Sequence, residues 1–393
     1  MTGEAEALVA VLEKVTPLPA ISARLIDSIG RFSADDLVAT RSLPAFDNSA
    51  MDGYAVQAAS CRADAKLSVV GEQPAGVDRG LTIGEGEAIR IFTGAPLPAG
   101  ADAVIMQEDV LREGDLIRPQ CDAEPGEFIR RRGSDLAEGQ KILSRGEPIE
   151  AATVGLLASQ GLTEVRVGTP PRAAIVSTGD ELALPGEALE PGQIFESNGA
   201  LLHALAAGAG AHVTLVEHAP DQLEQLTEIF RRGLNGDAIL VSGGVSVGDH
   251  DLVKPALRAL GAEIDLWRVA IKPGKPFLFG RAGSCHVFGL PGNPVSSFVT
   301  FLKFVRPALR KMAGAGPGHL GLREVSARLT SEIRNPGDRP HYFRGTLRGA
   351  FFTLSGRQES HALFGLSRAN ALLRIDPGET LPKDAEVTLE LWS

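Results

Sequence analysis

Tryptophan and tyrosine are nearly missing, with two of each, and aromatics make up 5% of the 393 residues. Stacking platforms for single-stranded nucleic acid are therefore not available in number. Cysteine is just as scarce: Cys61, Cys121 and Cys285 stand far apart with no C-x-x-C spacing. That pattern supports neither a disulfide framework nor a structural zinc site, and it fits a reducing cytoplasm. No uncharged apolar run approaches the roughly 20 residues that cross a bilayer. The opening residues, Met1 to Glu6, are acidic where a secretion signal is basic. Basic residues are outnumbered 39 to 49, and the net charge of −10 repels phosphate backbones and anionic membranes unless a basic patch is gathered locally. The expectation is a soluble, cytosolic protein with neither nucleic-acid nor membrane partners.

Glycine and proline are plentiful instead, 45 and 25 residues, above the roughly 12% that the two usually contribute. Many tight turns and few long helices follow. With 44% hydrophobic and 22% charged residues the chain can bury a sizeable core, and its length argues for two or three domains. No internal repeat and no low-complexity tract interrupts it.

Periodicity divides the chain into three textures. Residues 1–170 begin with two helix-like patterns, Leu8-Val11-Leu12-Val15 and Ile21-Leu25-Ile26-Ile29, separated by Pro17 and Pro19. Short β-like runs at 67–70, 88–92 and 103–106 follow, and an inserted β domain is expected over about 56–135. From 171 to 314 strands alternate with helices: strands at 172–177, 212–217, 238–241, 264–269 and 286–290, and helices capped by Asn198 or spanning 221–234, 251–260 and 294–312. Such alternation implies βαβ crossovers and a mostly parallel sheet, with ligands beyond the carboxyl ends of its strands. After the Gly314-Ala-Gly-Pro-Gly318 linker, residues 319–393 read as a small β domain. The fold class is multidomain α/β plus β.

The chemistry concentrates at the predicted strand ends. Val241-Ser-Gly-Gly-Val-Ser-Val-Gly-Asp-His-Asp251 places Gly243, Gly244 and Gly248 among the hydroxyls of Ser242 and Ser246, a loop able to turn several N–H groups toward phosphate oxygens. It is neither a P-loop nor a dinucleotide-binding fingerprint. Ser177-Thr178-Gly179-Asp180-Glu181 ends the first strand on the same edge. Acids beside a phosphate site point to a hard cation, so Glu181 with Asp251 or Asp221 could hold Mg²⁺, while helix capping is an equal role for Asp221. Lys272-Pro-Gly-Lys275-Pro276 presents two lysines on a stiff loop, and Leu290-Pro291-Gly-Asn293-Pro294 sets up a helix start. The three features converge on an anionic ligand. Asp52 and Tyr54 in the polar 44–55 segment, the turn at Thr93, and the arginines Arg130, Arg131 and Arg132 are further candidates.

Six segments carry a resemblance: Phe46-Asp-Asn-Ser-Ala-Met-Asp-Gly-Tyr-Ala55, Ile91-Phe-Thr-Gly-Ala-Pro96, Ser177-Thr-Gly-Asp-Glu181, Ser242-Gly-Gly-Val-Ser-Val-Gly248, Lys272-Pro-Gly-Lys-Pro276 and Leu290-Pro-Gly-Asn-Pro294. In order and in nearly full coverage, the chain resembles the molybdopterin molybdenumtransferases, the MoeA family. That resemblance implies insertion of molybdate into adenylylated molybdopterin, with Mg²⁺-dependent release of AMP, and it implies a barrel-like C-terminal domain. It assigns Ser177, Thr178, Gly179, Asp180, Ser242, Gly243, Gly244, Ser246, Gly248, Arg130, Pro291, Asn293 and Pro294 to binding the pterin substrate. Glu181, Asp221 and Asp251 fall to Mg²⁺, and Lys272, Lys275, Arg268, Arg344 and Ser360 to molybdate. Asp52, Thr93 and Arg130 match functional positions that sit near the partner's site in a family-like homodimer. Arg268 stands where relatives often carry lysine, which keeps the charge but replaces a point ammonium by a planar fork. Asp221 follows Pro220 rather than a second charged residue.

Two other readings compete. Adenylyl transfer to molybdopterin would use a similar glycine loop but needs no molybdate site, so the lysine loop and Arg344 favour insertion. A non-catalytic scaffold would not need the candidate acids. Other proteins of molybdenum-cofactor biosynthesis are expected partners.

Overall fold

Short apolar runs alternate with helices between residues 172 and 312 because five of six strands in one sheet run the same way, and the crossovers that join parallel strands cover both faces. The structure is a computed structural model that describes residues 1–245 and 252–392. Across the sheet the order is His212–Ala219, Arg172–Thr178, Ala238–Ser242, Cys285–Leu290, Leu278–Ala282 and Glu263–Trp267. The first four pair in parallel, and Leu278–Ala282 is antiparallel to both of its neighbours.

Alternation along each strand builds two cores. Ile175, Leu240, Phe288 and Leu290 face one side, while Ala174, Val176, Ile239, Val241 and Val287 face the other. Helix Asn198–Gly208 buries Leu202 and Ala206 in the first core, and helix Leu223–Gly233 buries Leu226 and Phe230 in the second. The chain leaves Arg172–Thr178 toward one neighbour and later returns to its other side at Ala238–Ser242. The crevice beyond Thr178 and Ser242 is therefore the topological switch point, where such sheets bind ligands.

Residues 1–35, 144–158 and 162–393 form one compact unit; Asp36–Leu143 with Ser159–Gly161 forms the other. The smaller unit holds a six-stranded sheet in the order Ala103–Met106, Gly53–Val56, Glu87–Ile91, Leu67–Gln73, Leu116–Pro119 and Val110–Glu113. Tyr54, Val56, Ala88 and Ile105 lie in its core. At the C-terminal end of the larger unit, Arg323–Leu329, Phe351–Leu354, His341–Arg348, Ala371–Ile375 and Glu386–Leu391 close into a small barrel around Leu329, Phe352, Leu373 and Leu389. Among the described residues, no helix is long and apolar enough to cross a membrane.

Several sequence expectations need correction. Ile21–Ile29 is not helical: Ile21–Arg24 is a strand paired with Glu164–Val167, followed by a 3₁₀ turn at Leu25–Asp27. Ile26 and Ile29 are exposed, so the apolar spacing has no helical face to bury, and cross-chain pairing overrides it. Asn198 does not cap its helix; Ser197 holds that position. Strand Leu278–Ala282 is not evident from the sequence, because its glycine and arginine obscure an otherwise apolar run. The helix expected at 294–312 forms but changes winding, with a π-helical turn at Phe301–Val305 between Pro294–Thr300 and Arg306–Met312. Ser246, Gly248 and Asp251 lie outside the described residues.

Candidate functional site

Beyond the switch point lies a cavity of about 660 Å³, walled by Thr178, Gly179, Glu181, Asp221, the Ser242–Val245 loop and the Pro291–Pro294 loop. Gly243 has φ +95, and a Cβ there would stand 2.4 Å from the Thr178 carbonyl oxygen. Only glycine lets this loop cross the neighbouring strand end so closely.

The acids are fastened rather than loose. Thr178 donates its hydroxyl to Asp221 Oδ1 at 2.6 Å, and the Asp221 backbone N–H donates to Asp180 Oδ1 at 2.9 Å. Gln222, not Asp221, is the cap of the following helix, which leaves the Asp221 carboxylate on the cavity wall beside Glu181. Asp180 acts as a brace for that turn.

Ser242 is almost fully buried. Its hydroxyl donates to the Pro291 carbonyl at 3.2 Å and accepts from Asn198 Nδ2 at 2.8 Å. Asn198 Nδ2 also donates to the Gly292 carbonyl at 2.6 Å. One amide thus ties the ends of two strands together, a role that sequence reasoning missed because asparagine before an apolar helix resembles a cap. Asn293 caps the next helix only through its backbone; its side-chain amide donates to Ser360 Oγ at 3.0 Å. Val295 and Ser297 N–H groups donate to the Ser360 and Asn293 carbonyls, and Pro294 has no N–H, so this helix start offers fewer free donors than its position implies.

A second cavity of about 670 Å³ adjoins the first, sharing Pro276, Ser296 and His361 with it. Lys272, Lys275, Arg339, His341 and Ser360 line it. Gly274 at φ +117 turns the lysine loop, and a Cβ there would meet Thr300 Cγ2 at 2.6 Å. The loop is stitched to the barrel: Lys272 N–H donates to the Pro340 carbonyl and Tyr342 N–H to the Lys272 carbonyl, both at 2.8 Å. Ser296, His341 and Arg339 were missed by sequence reasoning. The first is an ordinary helix serine by pattern, and the other two are recognisable only once the barrel strand meets the lysine loop.

Arg344 is 0% exposed and stands behind that cavity rather than in its wall. Its Nη2 donates to the Arg357 and Glu359 carbonyls at 2.7 and 3.2 Å, holding the loop that carries Ser360. Burial pulls its guanidinium down to about 10. Arg268 lines neither cavity; it has φ +73 and sits just after the edge strand Glu263–Trp267. Ser177 is buried one residue inside the strand end.

In the smaller unit, Asp52 Oδ1 accepts from the Thr93 backbone N–H at 2.7 Å and from its hydroxyl at 2.8 Å. These bonds hold the Asp52 carboxyl below the usual carboxylate range. Arg131 pairs with Asp47 at 2.7 Å, whereas Arg130 is exposed on the short strand Ile129–Arg130 that pairs with Asn48–Ser49. The three arginines do not act as one cluster: Arg131 pairs with Asp47 and Arg132 with Glu138 at 3.6 Å, which leaves Arg130 apart from both pairs.

Residues 4–161 match the family described as MoeA N-terminal region (domain I and II), 174–311 the probable molybdopterin binding domain, and 326–392 the MoeA C-terminal region (domain IV). Among curated proteins, a molybdopterin molybdenumtransferase from Nostoc sp. is 37% identical over 92% of this chain and 86% of its own length. Molybdopterin molybdenumtransferase 2 from Mycobacterium tuberculosis is 38% identical over 97% of each chain. Among solved structures, a molybdopterin biosynthesis MoeA protein from Pyrococcus horikoshii is 30% identical, covers 100% of both chains and superposes with a TM-score of 0.85.

Proposed function

The chain belongs to the MoeA family, transferases of molybdenum-cofactor biosynthesis, and from that premise we propose that it inserts molybdate into adenylylated molybdopterin, releasing AMP with the help of Mg²⁺. The observation that carries the proposal is the pair of adjoining cavities. One is walled by a glycine turn and the carboxylate residues Glu181, Glu196 and Asp221, the other carries two lysines, and they share Pro276, Ser296 and His361. A phosphoanhydride and an oxyanion acceptor need such neighbouring compartments, because transfer requires both ends of the reaction to be held at once.

In this reading the Gly243–Val245 turn receives the phosphate-bearing part of the pterin substrate, and the Asn198 strut keeps that turn and the Pro291–Asn293 loop in register. Lys272 and Lys275 draw molybdate in, Ser360 supplies a hydroxyl, and Arg344 holds the Ser360 loop in place. Glu181 and Asp221 line the first cavity as carboxylates, the hard oxygen donors that Mg²⁺ takes, so the site fits that ion and these residues would hold it. Mg²⁺ would supply charge neutralisation on phosphate oxygens. Thr178 keeps the Asp221 carboxylate oriented through its 2.6 Å bond.

The proposed division of labour gives 171–314 to the pterin site and 319–393 to completing the oxyanion pocket, with 1–170, including the inserted 56–135 region, serving a homodimer. There Asp52, Thr93 and Arg130 of one subunit would approach the other subunit's site. The cytosol is the proposed location. Incubation with adenylylated molybdopterin, molybdate and Mg²⁺ tests the activity: AMP release is expected only when molybdate is present, and release independent of molybdate, or none, refutes it. Glu181→Ala should retain substrate binding with little AMP release, whereas a scaffold would be unaffected. Light scattering showing only monomer at micromolar concentration would count against the shared site.

A further inference from the structure

The lysine-lined cavity contains a group that the proposed reaction has not used. His341 is only 5% exposed and lies in the cavity wall, yet neither Nδ1 nor Nε2 has a hydrogen-bond partner. A buried imidazole with two unmet polar atoms costs stability, and such groups call for a functional explanation. Backbone pairing and ring packing hold it in place. Strand His341–Arg348 pairs with Ala371–Ile375, setting His341 opposite Ile375, the Lys272 loop bridges to it along the backbone, and the Phe343 ring lies 3.9 Å away.

Cations surround it. Lys272 on the loop, Arg339 on the preceding turn and Arg344 on the same strand all act on the ring, and Lys275, Glu359 and His361 line the same cavity. On the paired strand, Arg374 is already engaged by Glu4 and Asp376. Burial first, and then the three cations, push the imidazole down to about 4, so in these surroundings the ring is neutral at physiological pH.

We propose that His341 is the proton-coupled ligand of the oxyanion pocket: entry of a tetrahedral dianion brings a proton from bulk water onto the His341 ring, which then donates a hydrogen bond to the anion. The dianion reverses both influences on the ring, cancelling the positive potential of Lys272, Arg339 and Arg344 and supplying the missing acceptor. Affinity for the dianion then rises as pH falls, because the complex binds one more proton than the free protein. The site selects for full charge and tetrahedral oxygens, since a monoanion relieves less of the repulsion that keeps the ring neutral. This inference rests on the reading of the cavity as the molybdate pocket.

Isothermal titration of the full-length protein with inorganic molybdate alone, in buffers of different ionisation enthalpy, tests it. Near neutral pH the wild type should take up close to one proton per molybdate, and Kd should fall by up to about tenfold per unit as pH drops from about 8 to about 6. His341→Gln should bind molybdate more weakly, without proton uptake and with a flat pH profile, while His361→Gln should keep the uptake. His341→Asn, with circular dichroism as a folding check, serves if the glutamine variant is unstable. Uptake that persists in a folded His341 variant, or a wild type that binds molybdate without taking up a proton, overturns the role of His341 and leaves the pocket standing. A wild type that does not bind molybdate overturns both.

Discussion

Replacing Asn198 by alanine isolates the strut that joins the two loops of the first cavity. The amide Nδ2 makes two bonds, 2.8 Å to Ser242 Oγ and 2.6 Å to the Gly292 carbonyl, each contributing about 1 kcal/mol net. Ser242 remains satisfied after truncation, because its hydroxyl still donates to Pro291. The Gly292 carbonyl loses this donor too, but Gly292 is exposed, so water replaces it at little further cost. Part of the lost bonding is offset because Asn198 Oδ1 is itself buried without a partner and disappears with the side chain. The balance is a loss of about 1 to 2 kcal/mol, which lowers the melting temperature of a unit this size by about 2 to 3 °C. Because the lost bonds align the walls of the cavity, affinity for adenylylated molybdopterin should weaken by about tenfold, or about 1.4 kcal/mol. Asn198→Asp should be worse than alanine, since it replaces both donors by a carboxylate aimed at the Gly292 carbonyl. Calorimetry and equilibrium binding on the two variants are the assays. A melting temperature within about 1 °C of wild type, together with unchanged affinity, would show that the strut does not hold the loops.

Thr178→Val removes the bond that orients Asp221 and should slow AMP release by about tenfold with little change in melting temperature; an unchanged single-turnover rate argues that Asp221 needs no brace. Gly243→Ala forces a Cβ to within 2.4 Å of the Thr178 carbonyl at φ +95, so a loss of at least about 2 kcal/mol and of pterin binding is expected from denaturant unfolding and binding assays. Asp52 should titrate below the usual carboxylate range in a carboxyl-carbon NMR experiment. Because hydrogen bonds favour its charged form, Thr93→Val should move the titration upward without restoring the ordinary value, as the backbone N–H, the larger cause, remains; no upward movement would refute that assignment. Lys303 pairs with Glu4 at 3.5 Å and Glu390 at 2.5 Å and lies 5.0 Å from the Tyr342 ring. Lys303→Met should therefore cost about 2 kcal/mol in chemical denaturation, chiefly by leaving the partly buried Glu390 without its cation, since Glu4 keeps Arg374 at 3.1 Å, and a loss under about 0.5 kcal/mol would show the network to be dispensable.

The parallel-sheet region was readable because its strands are buried on both faces. Arg172–Thr178 and Cys285–Leu290 are almost wholly buried, and that burial demands the continuous apolar runs seen in the sequence. The loops at their ends were readable for a related reason: glycine at 243 and the Pro-Gly pairs at 273–274 and 291–292 mark turns of fixed shape. Leu278–Ala282 and Ile21–Arg24 were harder, because a strand defined by its pairing partner carries little local signal, and the partner of Ile21–Arg24 lies near residue 164.

Local patterns, then, identify which segments turn, which are buried and where anion-binding loops lie, since turn dihedrals and burial constrain residue types one position at a time. Partnership is a different matter. That Asn198 spans Ser242 and Gly292, that Arg344 holds the Ser360 loop, and that the Lys272 loop reaches His341 depends on residues about fifteen to about a hundred positions apart meeting in three dimensions. No local propensity encodes such meetings; they arise from strand order and from the closure of the barrel against the lysine loop.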